Sequence, residues 1–146
     1  MPKVTRWFIK AGILYFITGV LLAVIAEIPA FGAGPLLLPV YWHMLVMGWI
    51  TQTIMGVSIW MFPRKHRDKQ EREKLLCWLA FGLLNTGLIL RFLFEPFLSI
   101  TMGNYAINLL IVVSSVFQVL AIVAYILEIL PRLQPREKRS IQQGRS

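Results

Sequence analysis

An all-α integral membrane four-helix bundle is the fold class this sequence predicts, and three observations predict it. Hydrophobic residues make up 57% of the 146-residue chain, more than the roughly half that soluble domains carry. Charge is confined to short blocks. Between the blocks lie four apolar runs, near 7–28, 40–62, 75–97 and 105–130. Each is long enough to cross about 30 Å of hydrocarbon at 1.5 Å rise per residue. We therefore expect a single transmembrane domain over 1–132 and a basic tail over 133–146.

The first run is too long for the apolar core of a signal peptide, and no A-x-A-like cleavage site follows it, so it reads as a retained span. After it, Pro29, Pro35 and Pro39 are expected to break the chain into an outer loop, "PAFGAGPLLLP". That loop is apolar for its position and is expected to lie in the membrane interface or against another subunit. Tyr41 and Trp42 would be belt aromatics on that side, with Trp7, Trp60 and Trp78 at the opposite interface. Pro63, Pro96 and Pro131 are expected to close spans two, three and four.

Charge sets the orientation. Lys3, Arg6 and Lys10 precede or open span one; Arg64, Lys65, Arg67, Lys69, Arg72 and Lys74 fill the link between spans two and three; Arg132, Arg136, Lys138, Arg139 and Arg145 follow span four. The other two links contain no Lys or Arg. By the positive-inside rule both termini and the middle link are cytoplasmic, as in a multi-pass protein of a prokaryotic inner membrane. The net charge of +8 is sorted by loop, which a surface for nucleic acid does not require. The partners expected are membrane lipid and either other membrane subunits or further copies of the chain, with no nucleic acid. The tail is expected to be solvated, with anionic lipid as a secondary partner.

Cys77 is the only cysteine, which excludes an intrachain disulfide and a C-x-x-C redox pair and leaves a small packing residue. Sliding the chain by 68 positions aligns Thr18-Gly19 with Thr86-Gly87, Glu27 with Glu95 and Pro63-Arg64 with Pro131-Arg132. Two Leu-rich hairpins of equal length give a similar level of identity by chance. The same alignment sets Ile111 opposite His43, so the second hairpin supplies no matching histidine.

Polar residues inside spans are costly and are functional candidates. Glu27, His43, Arg91 and Glu95 all fall toward the outer leaflet, whereas Glu128 lies near the cytoplasmic end of span four. Arg91 and Glu95 are four apart and can pair along one helical face, as can Glu128 and Arg132. Glu27, Arg91 and Glu95 also suit an interface ion network that fixes helix rotation.

Span two is the most distinctive. It reads H-x4-G-W-x6-G-x6-P, from His43 through Gly48-Trp49 and Gly56 to "MFPR". Gly48 and Gly56 are small positions that admit a helix or a flat cofactor, and Met47, Ile50, Ile54, Val57 and Met61 offer an apolar lining. The pattern resembles the second transmembrane helix of the haem-copper oxidase large subunit, in its nitric oxide reductase-like branch. "WFIKAGILYFITGVLLAVIAEIP" and "CWLAFGLLNTGLILRFLFEP" are similar to its first and third helices. The resemblance implies haem b with His43 as an axial ligand, Gly48 and Gly56 beside the haem, and Arg91 on a propionate.

The family's second haem ligand and its copper ligands lie on later helices, which have no counterpart here. His66, the only other histidine, is 23 positions from His43, roughly 34 Å along a helix, so the two cannot ligate one iron within one chain. Oxygen or nitric oxide reduction at copper is therefore not expected of this polypeptide alone. A sixth ligand could come from Met102, from a partner's histidine or from His43 of a second copy, or the haem could be five-coordinate. The alternative is a histidine that hydrogen-bonds to a neighbouring helix, to water or to Glu27 or Glu95.

Other classes fit less well. A small multidrug exporter needs a carboxylate near the middle of span one, and Glu27 stands at its end. A two-haem four-helix cytochrome needs two pairs of histidines. A channel needs a polar stripe, and Asn85, Asn108, Ser114, Ser115 and Gln118 are too dispersed to form one. The expectation is a small membrane subunit of a respiratory or electron-transport type complex, binding haem b through His43. Its rival is a structural or assembly subunit without cofactor.

Overall fold

The computed structural model describes residues 1–62, 70–98 and 104–133. Among them are four helices long and apolar enough to cross a membrane, and no strand. Span one is α1 (Lys3–Glu27), and a short 3-10 turn, Pro29–Phe31, follows it. Span two is composite, built of α2 (Gly34–His43), a π-helical segment (Met44–Thr51) and α3 (Gln52–Met61). Spans three and four are α4 (Gln70–Leu98) and α5 (Tyr105–Leu133). Between their ends, helices satisfy the backbone groups within the segment, which hydrocarbon demands because it holds no water to do so.

The prolines stop these helices less abruptly than expected. Gly32 turns the chain in a left-handed conformation (φ 57°) that glycine adopts without cost. Span two then begins at Gly34 and not near Val40, because Pro35 sits in the first helical turn, where a missing N–H costs nothing. Pro39 lies inside α2. It stands four residues after Pro35, so only its own bond to the Pro35 carbonyl is forfeited. Pro96 and Pro131 likewise sit inside the last turns of α4 and α5, each two residues before the end. Pro63 and His66, Met102 and the tail from 134 onward fall outside the described residues.

The π segment follows from the spacing of small and buried residues. Val40, Met44, Gly48, Gln52 and Gly56 are all buried, and they recur every four positions. A straight α-helix of 3.6 residues per turn would wind such a stripe about 40° further round at each step. The i→i+5 bonding of a π segment puts more residues in each turn and holds the stripe against one neighbour. That neighbour is α1. A side chain at Gly48 would come within 2.7 Å of the Tyr15 Cβ, and one at Gly56 within 2.7 Å of the Phe8 Cβ. From the other side, Gly12 abuts the Thr53 hydroxyl and Gly19 abuts Met44 and Leu45. The Phe16 and Trp49 rings pack alongside at 4.2 Å. Apolar lipid gives little hydrophobic drive for helix pairing, so close backbone approach through glycine supplies dispersion contact instead.

Spans three and four pair in the same manner. A side chain at Gly87 would meet the Ser114 carbonyl oxygen at 2.9 Å, and the Ser114 hydroxyl donates to the Gly87 carbonyl at 2.7 Å. The two hairpins share a dry core in the half that the charge pattern assigns to the cytoplasm. Phe8, Met55, Ile59, Cys77, Leu84 and Ala121 contribute to it from all four spans. Phe81 lies edge-on to Phe8 and Trp78. Trp7, Trp60 and Trp78 stay exposed on the outside of the bundle, where interfacial aromatics belong.

A charged clamp closes this end. Arg132 pairs with Glu128 one turn earlier, as their spacing implied, and Glu128 is fully buried. Arg132 Nη1 also donates to the Ile59 and Phe62 carbonyls at 3.2 and 3.3 Å. These are last-turn carbonyls of α3 and the residue that caps it, which have no later turn to bond them. Nearby, the Ser58 and Tyr125 hydroxyls bond at 2.6 Å. Cys77 is buried against the same guanidinium, 4.0 Å from Nη2.

Two outcomes are expected from this packing. Gly48→Ala should destabilise the protein by about 1–3 kcal/mol, because the Tyr15 Cβ cannot swing aside. Gly82→Ala, where an added Cβ would meet nothing within 4 Å beyond its own helix backbone, should instead gain about 0.5–1 kcal/mol; thermal unfolding in detergent micelles reads both. Arg132→Lys keeps the charge but gathers its donors on one nitrogen, which cannot span the carbonyls at Nη1 and the carboxylate at Nη2. A loss of about 1.5–3 kcal/mol is expected, with faster amide exchange confined to the ends of spans two and four nearest Arg132.

Candidate functional site

The outer half of the bundle holds the polar cluster that the sequence expected there, and the structure specifies its partners. α2 presents His43 toward α4, one position along from Met44 on the buried stripe. α4 presents Arg91 and Glu95 from successive turns of one face. The side chain of His43 is 29% exposed and that of Glu95 only 6%. The site therefore joins the two hairpins, with Glu95 in the interior and the imidazole nearer the surface.

The Nδ1 atom of His43 lies 2.8 Å from the Pro39 carbonyl oxygen. A carbonyl only accepts, so this contact requires the proton on Nδ1, and in the neutral ring the lone pair is then on Nε2. Glu95 Oε2 is 3.4 Å from the same nitrogen, yet it is buried without a hydrogen bond. The Pro39 carbonyl is the nearer acceptor of the Nδ1 proton, and the carboxylate stands further off on the same nitrogen. Nε2 engages no described side chain.

Glu95 is held from behind. Arg91 Nη1 donates to Glu95 Oε1 at 2.6 Å, the i+4 pair that the sequence implied. Arg91 Nη2 donates to the Ser115 hydroxyl of α5 at 2.7 Å, and that hydroxyl in turn donates a hydrogen bond to the Ile111 carbonyl at 3.1 Å. The chain Pro39–His43–Glu95–Arg91–Ser115 thus runs from span two through span three to span four.

Of the residues the resemblance implicated, His43 and Arg91 come together here through Glu95. Gly48 and Gly56 do not join them. They face Tyr15 and Phe8 of α1, so of the two uses open to them, helix approach is the one the packing makes. Arg91 has both terminal nitrogens engaged and its Nε buried without a partner. Glu27 ends α1 exposed. Sequence reasoning did not find Ser115 or the Pro39 carbonyl as members of the site. The proline four residues before His43 was a usable signal for the second, since a helical histidine reaches back to the i−4 carbonyl. Among the described residues no three His, Cys, Asp or Glu side chains group as metal ligands.

No known family, curated protein or solved structure matches the chain. What the fold and site define is a small multi-pass helical membrane protein with an Arg–Glu pair, its carboxylate buried, where the two hairpins meet, consistent with a subunit of a larger membrane complex.

Breaking the Arg91–Glu95 pair one residue at a time strands a charge in an apolar interior. Glu95→Leu and Arg91→Met are each expected to cost about 3–5 kcal/mol. The double replacement should recover most of that loss. A double-mutant cycle on unfolding in micelles measures the coupling.

Proposed function

We propose that the chain is a membrane subunit of an electron-transport type complex, in which His43 offers Nε2 as one axial ligand to haem b. One observation carries the reading: Nδ1–H is committed to a backbone carbonyl and Nε2 is left free on a partly exposed ring. Ligand histidines are held in this way, with the second nitrogen hydrogen-bonded so that tautomer and ring orientation are fixed. This nitrogen by itself suits an axial position, and the group would supply one-electron chemistry when bound. Gly48, Gly56 and Arg91 do not contribute to a haem cradle as they stand, being engaged with α1, Glu95 and Ser115. A sixth ligand, where there is one, comes from a partner, a second copy or the segment around Met102.

That engagement favours the second reading, a structural or assembly subunit without cofactor whose polar cluster only fixes how the hairpins meet. One measurement separates the two. Protein purified from haem-replete membranes, or titrated with haem b, is expected to show a Soret band and a reduced-minus-oxidised alpha band, and His43→Ala to lose both. A colourless wild type, with His43→Ala equal to it in stability and assembly, leaves the structural reading.

A further inference from the structure

The face that α1 turns away from the bundle is charged at one end and aliphatic along the rest. Val4, Thr5, Phe8 and Gly12 are buried, whereas Lys3, Arg6, Trp7 and Lys10 stand on the opposite side of α1 and are exposed. The first turn of α1 holds no acidic residue, and no described carboxylate pairs with any of the three cations. Lys10 lies roughly 10 Å further along the axis than Lys3, inside the apolar run. Its ammonium doubles back over the Trp7 ring, 5.9 Å from the centroid, as a lysine at the edge of hydrocarbon does to reach the headgroup layer. The ring is in turn set by α4, where Phe81 packs tilted against it at 6.5 Å. Among the described residues the indole N–H of Trp7 has no acceptor.

We propose that Lys3, Arg6, Trp7 and Lys10 form a headgroup site for an anionic phospholipid, whose acyl chain follows α1. Charge and shape both commit the face to this occupant. Three cations within two turns concentrate positive charge that no described group of the bundle neutralises, and each Lys or Arg near a membrane surface adds to the attraction for anionic lipid. The indole supplies a flat wall and one hydrogen-bond donor at the level of the phosphate. Beyond Lys10 the same stripe continues as Leu14, Ile17, Leu21 and Val24, each at least half exposed. These four span roughly 15 Å, the depth of one leaflet of a hydrocarbon core about 30 Å thick. A soluble anion would meet the cations but leave this stripe uncovered, whereas a lipid covers both. The site is independent of His43 and of any cofactor there.

The test titrates the full-length protein in neutral detergent with phosphatidylglycerol and with phosphatidylcholine of the same acyl chains, and reads retained lipid by native mass spectrometry. Wild type should bind phosphatidylglycerol at least about 10-fold more tightly, and Lys10→Gln and Arg6→Gln should each lose about 5-fold of that affinity. Lys10→Arg should keep it, because the charge is kept. Lys138→Gln removes the same charge from the tail and should leave the affinity unchanged. Circular dichroism confirms that each variant is folded; should Lys10→Gln not fold, Arg6→Gln carries the comparison. Equal binding of the two lipids by wild type overturns the proposal, as does wild-type affinity in both Lys10→Gln and Arg6→Gln. A loss in Lys138→Gln equal to that in Lys10→Gln overturns it too, since the preference would then follow net charge and not this face. Inorganic phosphate that displaces the lipid at equal concentration overturns a phospholipid as the occupant.

Discussion

Hydrocarbon offers no partner to a polar group, and nearly every feature of this structure answers to that constraint. The backbone answers it by winding into helices. Side chains answer it in two places, at opposite ends of the bundle. At the inner end Glu128 and Arg132 neutralise one another, and the guanidinium bonds the carbonyls at the end of span two. At the outer end Glu95, Arg91 and Ser115 complete a chain that starts on His43. Between the two lies the dry core, where glycine contacts and ring packing do the joining.

The division of labour follows from magnitudes. A buried ion pair is not in itself a source of net stability, because desolvation cancels most of the Coulombic gain. Unpaired, however, each member costs several kcal/mol. The two clusters therefore select one arrangement of the hairpins by penalising the others. Attraction comes from the close contacts: Gly48 against Tyr15, Gly56 against Phe8, Gly87 against Ser114.

Most of the fold was legible in the sequence. Apolar run length gave the spans, and four-residue spacing gave the pairs Arg91–Glu95 and Glu128–Arg132, since both are properties of a single helix. What was not legible depends on more than one helix. That Glu95 rather than Glu27 faces His43 follows from how α2 crosses α4. Whether Gly48 and Gly56 admit a helix or a flat group follows from where Tyr15 and Phe8 fall. The start of span two was misplaced for a local reason, because Pro35 and Pro39 read as breakers although one opens the helix and the other forfeits a single bond. The π segment left a visible trace, the four-residue recurrence of buried positions from Val40 to Gly56.

That segment lies directly below His43 and so fixes the azimuth of everything above it. One residue of register in a helix is a rotation of about 100°. Rewound to α geometry, Met44–Thr51 would leave Gly56 and the inner clamp where they are and swing the imidazole through a large angle away from Glu95. The wide turns thus act as a vernier between two fixed scales, one set by the contacts with α1 and the other by the charge on α4. An insertion or deletion in these eight residues would uncouple histidine from carboxylate while keeping a continuous membrane-spanning helix.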